Sequence, residues 1–156
     1  MLRIDYLANH PAAITTLATW SHNEWGYFYP ERTLQDVEQA VAKRTNTDRI
    51  PLALVAYDCE ELVGTVCLKE HDMDTRKNLM PWLAGLYVEA SRRGEGIGRR
   101  LVVAIEEKAK ELGIVRLYLF TPESEEFYLK LGWDVLERVV YQGHPATIMF
   151  KELASS

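Results

Sequence analysis

Residues 83–100, LAGLYVEASRRGEGIGRR, constrain this chain more than any other stretch. The apolar run Leu83 to Val88 reads as a buried strand, and a polar turn with two arginines follows it. Gly94-Glu95-Gly96-Ile97-Gly98 then leads into the amphipathic segment Arg99 to Leu112. That order brings unpaired backbone N–H groups and the positive end of a helix dipole to one point, where a phosphate is favoured. Glycine lets the backbone approach an anion with no Cβ in the way. The stretch predicts a site for a phosphorylated cofactor, the alternative being a turn that only links strand to helix.

Spacing removes the commoner phosphate motifs. A dinucleotide fingerprint starting at Gly94 needs glycine where Arg99 stands, and one starting at Gly96 needs it where Leu101 stands. A P-loop needs a Gly-Lys-Ser/Thr ending, which is missing. What stands here, Arg93-Gly94-Glu95-Gly96-Ile97-Gly98, fits R-x-x-G-x-G and resembles the acyl-CoA binding motif of the GCN5-related N-acetyltransferases (GNAT). A second segment, Phe127-Tyr128-Leu129-Lys130-Leu131-Gly132-Trp133, is similar to the family's F-Y-x-x-x-G-aromatic pattern.

The rest of the chain reads as strands over residues 2–7, 52–57, 62–68, 83–88, 115–120, 133–141 and 146–151. Helices are expected from Pro11 with Ile14, Leu17 and Ala18 on one face, and after a Thr33/Asp36 cap with Leu34, Val37 and Val41. Two more are expected over 98–112 and 123–131, ended by Gly113 and Gly132. Trp20 to Pro30 reads as an aromatic loop, either a wall for an acceptor or a plug between helices. The order β-α-α-β-β-β-α-β-α-β-β is an α/β plan. The resemblance, strongest from 83 to 133 and only in outline before about residue 60, implies a single-domain GNAT-like mixed, mostly antiparallel central sheet flanked by helices.

It also implies acetyl-CoA as acyl donor and a role for each matched residue. Backbone groups of Leu86, Tyr87 and Val88 would meet pantetheine as an added strand does, and one N–H there is a natural oxyanion donor. Arg93, Gly94, Glu95, Gly96, Ile97, Gly98 and Arg99 would surround the pyrophosphate, with guanidinium contacts from the arginines. Arg92 and Arg100 read instead as a solvated basic helix start. Thr121, where the family often has asparagine, would bond the pantetheine arm. Tyr128 would lie near the sulfur. A leaving thiolate has a conjugate pKa of about 8.5 and a tyrosine about 10, so the phenol stays protonated at neutral pH and can donate. Its loss of that proton would appear as an alkaline limb in the rate.

The base is less defined. A lysine-like amine with pKa about 10.4 needs one far more than an α-amine near 7.7–8.0. Glu24 and His71-Asp72 are the candidates, with His22 and His144 behind them; each also reads as a loop polar group or cap. No residue stands where an acyl-enzyme nucleophile is expected, since Cys67 falls in a strand as a core filler, so direct transfer in a ternary complex is the implied route.

Composition bounds the setting. At 156 residues, 47% hydrophobic and 26% charged, the chain suits one globular domain over 1–153 with a frayed polar tail at 154–156. No apolar run approaches a membrane span and no signal-peptide core opens the chain, so a cytoplasmic protein without membrane contact is expected. A net charge of −5 disfavours nucleic acid and favours a cationic acceptor. The two cysteines, Cys59 and Cys67, and the four scattered histidines lack metal-ligand spacing, so no metal is expected. A small-molecule amine is the first choice of acceptor. A protein N-terminus is the second, and a non-catalytic acyl-CoA binding module the competing class. A homodimer is left open.

Overall fold

A computed structural model describes residues 1–153; the polar tail at 154–156 lies outside the described residues. The strands are β1 (Leu2–Tyr6), β2 (Leu52–Asp58), β3 (Glu61–Lys69), β4 (Trp82–Val88), β5 (Arg116–Thr121), β6 (Asp134–Tyr141) and β7 (His144–Glu152). The helices are α1 (Ile14–Trp25), α2 (Leu34–Ala42), α3 (Ile97–Glu111) and α4 (Glu125–Lys130). Together they form one seven-stranded sheet in the order β1-β2-β3-β4-β5-β7-β6. Every neighbouring pair is antiparallel except β4 and β5. The α/β plan with a mostly antiparallel sheet is the one the resemblance implied.

Period-2 alternation assigns the two faces. Leu52, Leu54 and Ala56 of β2 pack with Leu101, Val102, Ile105 and Ala109 of α3. Ala53 and Val55 point the other way, onto Leu17 and Ala18 of α1 and Val37 and Val41 of α2. A third cluster, built on Phe28, Met73, Trp82, Tyr141 and Ile148, is largely aromatic.

The helix starts follow local chemistry. Asp36 N–H donates to Thr33 Oγ1 at 3.1 Å and Thr33 N–H to the Asp36 carboxylate at 2.9 Å, a reciprocal cap for α2. Those bonds hold the Asp36 carboxyl below its ordinary range. Pro11 opens a 3₁₀ turn, Pro11–Ala13, that runs into α1. Here the sequence reading needs correcting, because α1 continues through Trp25. Glu24 therefore sits in a helix rather than a loop, and only Gly26–Phe28 forms a short 3₁₀ turn after it. Ser21, His22 and Asn23 lie within the helix.

A buried polar knot ties α3 to the C-terminal strands. Trp133 Nε1 donates to one carboxylate oxygen of Glu106 at 3.1 Å, and Lys151 Nζ donates to the other at 2.8 Å and to the Leu131 carbonyl at 2.8 Å. Removing the cation from such a pair strands a charge. Lys151→Met is expected to destabilise the protein by about 3 kcal/mol, read as a lower urea midpoint at unchanged slope.

Candidate active site

The parallel strands β4 and β5 pair at a single position among the described residues, Trp82 with Tyr118, supported by Tyr118 N–H donating to the Pro81 carbonyl at 3.1 Å. Beyond that point they part. β4 bends where its register against β3 shifts between Thr65 and Cys67, because Gly85 and Leu86 together face Val66. Gly85 has φ +62, the left-handed residue of a glycine bulge. A cleft of about 530 Å³ opens between the strands, floored by Leu83 to Leu86 and Leu119 to Thr121.

The backbone candidates Leu86, Tyr87 and Val88 run along the strand from the bulge onward. Leu86 and Val88 pack toward α3, while Tyr87 stacks on Trp20 at 4.9 Å and meets Trp25 edge-on at 6.4 Å. Arg93 returns to this strand: its Nε donates to the Val88 carbonyl at 3.0 Å and its guanidinium lies 5.2 Å from the Tyr87 ring. Only its terminal nitrogens are left for an anion.

Gly94 and Gly96 both have φ +83, and a Cβ at either would meet nothing within 4 Å. The turn is thus open on the side where an anion would lie, and Gly96 caps the N-terminus of α3, a 15-residue helix. The residues fit a pyrophosphate. Gly98 differs, being helical, with a virtual Cβ in ordinary contact with Phe127 at 3.5 Å and Val88 at 3.6 Å. Ile97 is buried in the core and Arg99 is exposed. Glu95 points away, paired with Arg92 at 3.1 Å. Arg92 is not the solvated residue expected from its place in the chain. It also binds Asp58 at 2.6 Å and Glu61 at 2.8 Å, tethering the glycine turn to the β2–β3 hairpin. Shared hydrogen bonds with Glu95 and Asp58 push its pKa further up.

Tyr128 lies in α4 and is 6% exposed, with its ring packed edge-on against Phe127 and Trp133. It lines the cleft, and burial raises its phenol well above the ordinary tyrosine range. Its carbonyl accepts from Trp133 N–H at 3.1 Å, so the Glu106 knot holds the helix that carries it. Thr121 Oγ1 accepts from Ser124 N–H at 2.9 Å and shapes the turn into α4; its hydroxyl proton can still be donated.

Glu24, His71 and His22 all line the same cleft as Tyr128. His71 has a weak partner in Glu70 at 3.4 Å. His144 does not join them; it packs against Tyr27 at 4.6 Å. Tyr29, in the segment read as an acceptor wall or a plug, lines the cleft, and Tyr141, Asp74 and Arg44 line it without having been singled out in the sequence. Tyr29 and Tyr141 hydroxyls are 2.9 Å apart, and Tyr141 donates to Asp74 at 3.2 Å. Burial and the Tyr141 bond push the Tyr29 phenol well up. Arg44, after α2, reaches to within 3.9 Å of where a Cβ of Gly85 would stand. Nothing local signalled these contacts, since Tyr29 and Tyr141 are 112 residues apart in the chain. Among the described residues no cluster of three His, Cys, Asp or Glu could hold a metal, and no helix is long and apolar enough to cross a membrane.

The model of the acetyltransferase (GNAT) family matches residues 14–133, well over half of the chain, and the chain belongs to that family. Among solved structures it is similar to an aminoglycoside 6'-acetyltransferase type Ii, at 26% identity over 97% of both chains with a TM-score of 0.75. An aminoglycoside 6'-N-acetyltransferase complexed with coenzyme A matches at 23% identity, 97% of both chains and TM-score 0.75. The aminoglycoside 6'-N-acetyltransferase from Enterococcus faecium matches at 24%, 97% of both chains and TM-score 0.72. A search of curated proteins found no match.

The glycines separate into two kinds, which gives a stability test. Gly96→Ala must hold a side chain at positive φ and is expected to cost about 1 kcal/mol. Gly98→Ala removes a glycine from a helix and is expected to be neutral or to stabilise by up to about 1 kcal/mol. Urea denaturation of the two variants checks the contrast.

Proposed function

We propose that this protein is an acetyl-CoA-dependent N-acetyltransferase that acts on a primary amine of a small molecule by direct transfer in a ternary complex. The observation that carries this reading is the parting of β4 from β5 directly after Trp82 and Tyr118, with the Gly85 bulge on one side and Tyr128 on the other. The similar structures are named as aminoglycoside N-acetyltransferases, one of them with coenzyme A bound, which supports the donor and a small-molecule acceptor.

Acetyl-CoA supplies the thioester. The open turn from Arg93 to Gly98, together with Arg99, receives the pyrophosphate through backbone N–H groups, the α3 dipole and the arginine nitrogens. Leu86, Tyr87 and Val88 offer the free edge of β4 to pantetheine amides, and Thr121 donates its hydroxyl proton from β5. A backbone N–H of this strand stabilises the oxyanion charge. Tyr128 holds a proton for the departing sulfur, and its apolar surroundings keep the phenol neutral until it is needed. Glu24 or His71, both of which line the cleft, takes the amine proton, directly or through water.

Acetyl-CoA is expected to raise the Tm, and NAD or ATP at the same concentration to do little. Gly96→Val is expected to remove the acetyl-CoA shift. Stabilisation by ATP but not acetyl-CoA contradicts the reading.

Tyr128→Phe keeps the ring and deletes the hydroxyl. Its turnover is expected to fall about 10²–10⁴-fold with acetyl-CoA affinity nearly unchanged. The alkaline limb of the parent's rate is expected above about pH 10, since a raised pKa keeps the acid form present through the ordinary phenol range. Steady-state kinetics across pH measures both effects, and near-normal turnover in the variant returns Tyr128 to a packing role.

A further inference from the structure

Most charged side chains lining the cleft stand exposed to water and need no partner. Three are partly withdrawn from it: Lys69, Asp72 and Arg44. Lys69 and Asp72 neutralise each other at 3.0 Å. Arg44 has no ion pair and no side-chain hydrogen bond among the described residues, which leaves it as the single half-buried charge of the cleft without a counter-charge. A charge taken from water without a partner is costly.

The placement of Arg44 is fixed. Its N–H donates to the Val41 carbonyl at 2.9 Å and its carbonyl accepts from Ala53 N–H at 3.0 Å, so its backbone is pinned between α2 and β2. The side chain crosses the α1–α2 face of the sheet to Gly85, with Nη1 3.9 Å from where a Cβ would stand. It also borders a small void of about 20 Å³ beside the bulge, next to Trp20, Trp25 and Tyr87. A planar guanidinium among aromatic rings is suited to a carboxylate, which it can grip with two parallel hydrogen bonds.

We propose that Arg44 binds a carboxylate on the acceptor, so that the amine acetylated belongs to an amino acid or a similar small amino-carboxylate. This rests on the reading of the cleft as an N-acetyltransferase site. An α-amino acid carries its amine one carbon from the carboxylate, so a carboxylate held beside Gly85 delivers the amine to the bulge. Such a zwitterion also suits the exposed carboxylates of Glu24 and Asp74 on the same cleft. The phosphates of the donor are the other source of an anion. They belong beyond Val88, about 10 Å further along β4 at the strand rise of about 3.3 Å per residue.

The test compares L-amino acids with their carboxamides and decarboxylated amines as acceptors, following thiol release from acetyl-CoA in the parent, Arg44→Gln and Arg44→Lys. In the parent, kcat/KM is expected to favour the carboxylate over its amide by about 10–100-fold, the worth of a charged hydrogen bond. Arg44→Gln is expected to bring that ratio near one and Arg44→Lys to keep part of it, with the KM for acetyl-CoA unchanged. A parent ratio near one, or a ratio unaltered in Arg44→Gln, overturns the proposal. A raised KM for acetyl-CoA with the ratio intact also overturns it and assigns the anion to the donor. A second arm needs no turnover. With CoA present, amino acids are expected to raise the Tm of the parent but not of Arg44→Gln, and equal shifts in both proteins refute the carboxylate site. Absence of thiol release with every acceptor counts against the acetyltransferase reading, while the melting arm still decides the role of Arg44.

Discussion

Backbone N–H and C=O groups inside a sheet must find partners, and the interior of this sheet contains two strand edges that stop pairing after one residue pair. β4 is laddered to β3 on its outer side and β5 to β7 on its outer side. Their facing edges meet at Trp82 and Tyr118 and then separate. Groups left in such a gap need water or a ligand with alternating donors and acceptors. The left-handed Gly85 bends one edge away, and the turn into α4 at Thr121 to Ser124 ends the other. The glycine turn, α3 and the helix bearing Tyr128 are all placed by the same separation.

The two faces of the sheet hold polar chemistry differently. On the α3 side the polar groups are closed among themselves: Glu106, Trp133 and Lys151 satisfy one another, and Tyr128 sits in an apolar wall that favours its neutral form. On the α1–α2 side the groups are left open toward the cleft, with Arg44 beside the bulge and Asp74 at the end of the Tyr29–Tyr141 chain. A closed network gives rigidity to whatever it supports. An open one is set up for a visitor.

The order of helices and strands was legible because each element announces itself locally. A continuous apolar run, buried on both faces, marks β2, the Thr33–Asp36 cap marks α2, and Gly113 and Gly132 follow their helices at positive φ. The glycine turn was legible for the same reason, since left-handed backbone at Gly94 and Gly96 is a property of a few consecutive residues. Contacts between distant segments left no such trace. The reach of Arg44 to Gly85, the Tyr29–Tyr141 bond and the Arg92 tether to Asp58 and Glu61 depend on how the sheet brings separate loops together. The end of α1 was not legible in the aromatic segment after Trp20, because packing of Trp20 and Trp25 on Tyr87, a residue of a distant strand, accompanies the helix to its end. The base stayed unresolved because Glu24 and His71 both line the cleft.

The Tyr29–Tyr141 bond joins the turn after α1 to the end of β6, and through Asp74 it also holds the loop between β3 and β4. None of these three segments belongs to the strand, turn and helix from Leu83 to Glu111. The chain thus keeps two separate inventories, the spine from Leu83 to Glu111 and a latched wall assembled from its loops. Drift at the latch can reshape what the wall admits while the spine stays intact. On the proposed function, a lineage built this way can change acceptors repeatedly without relearning its donor.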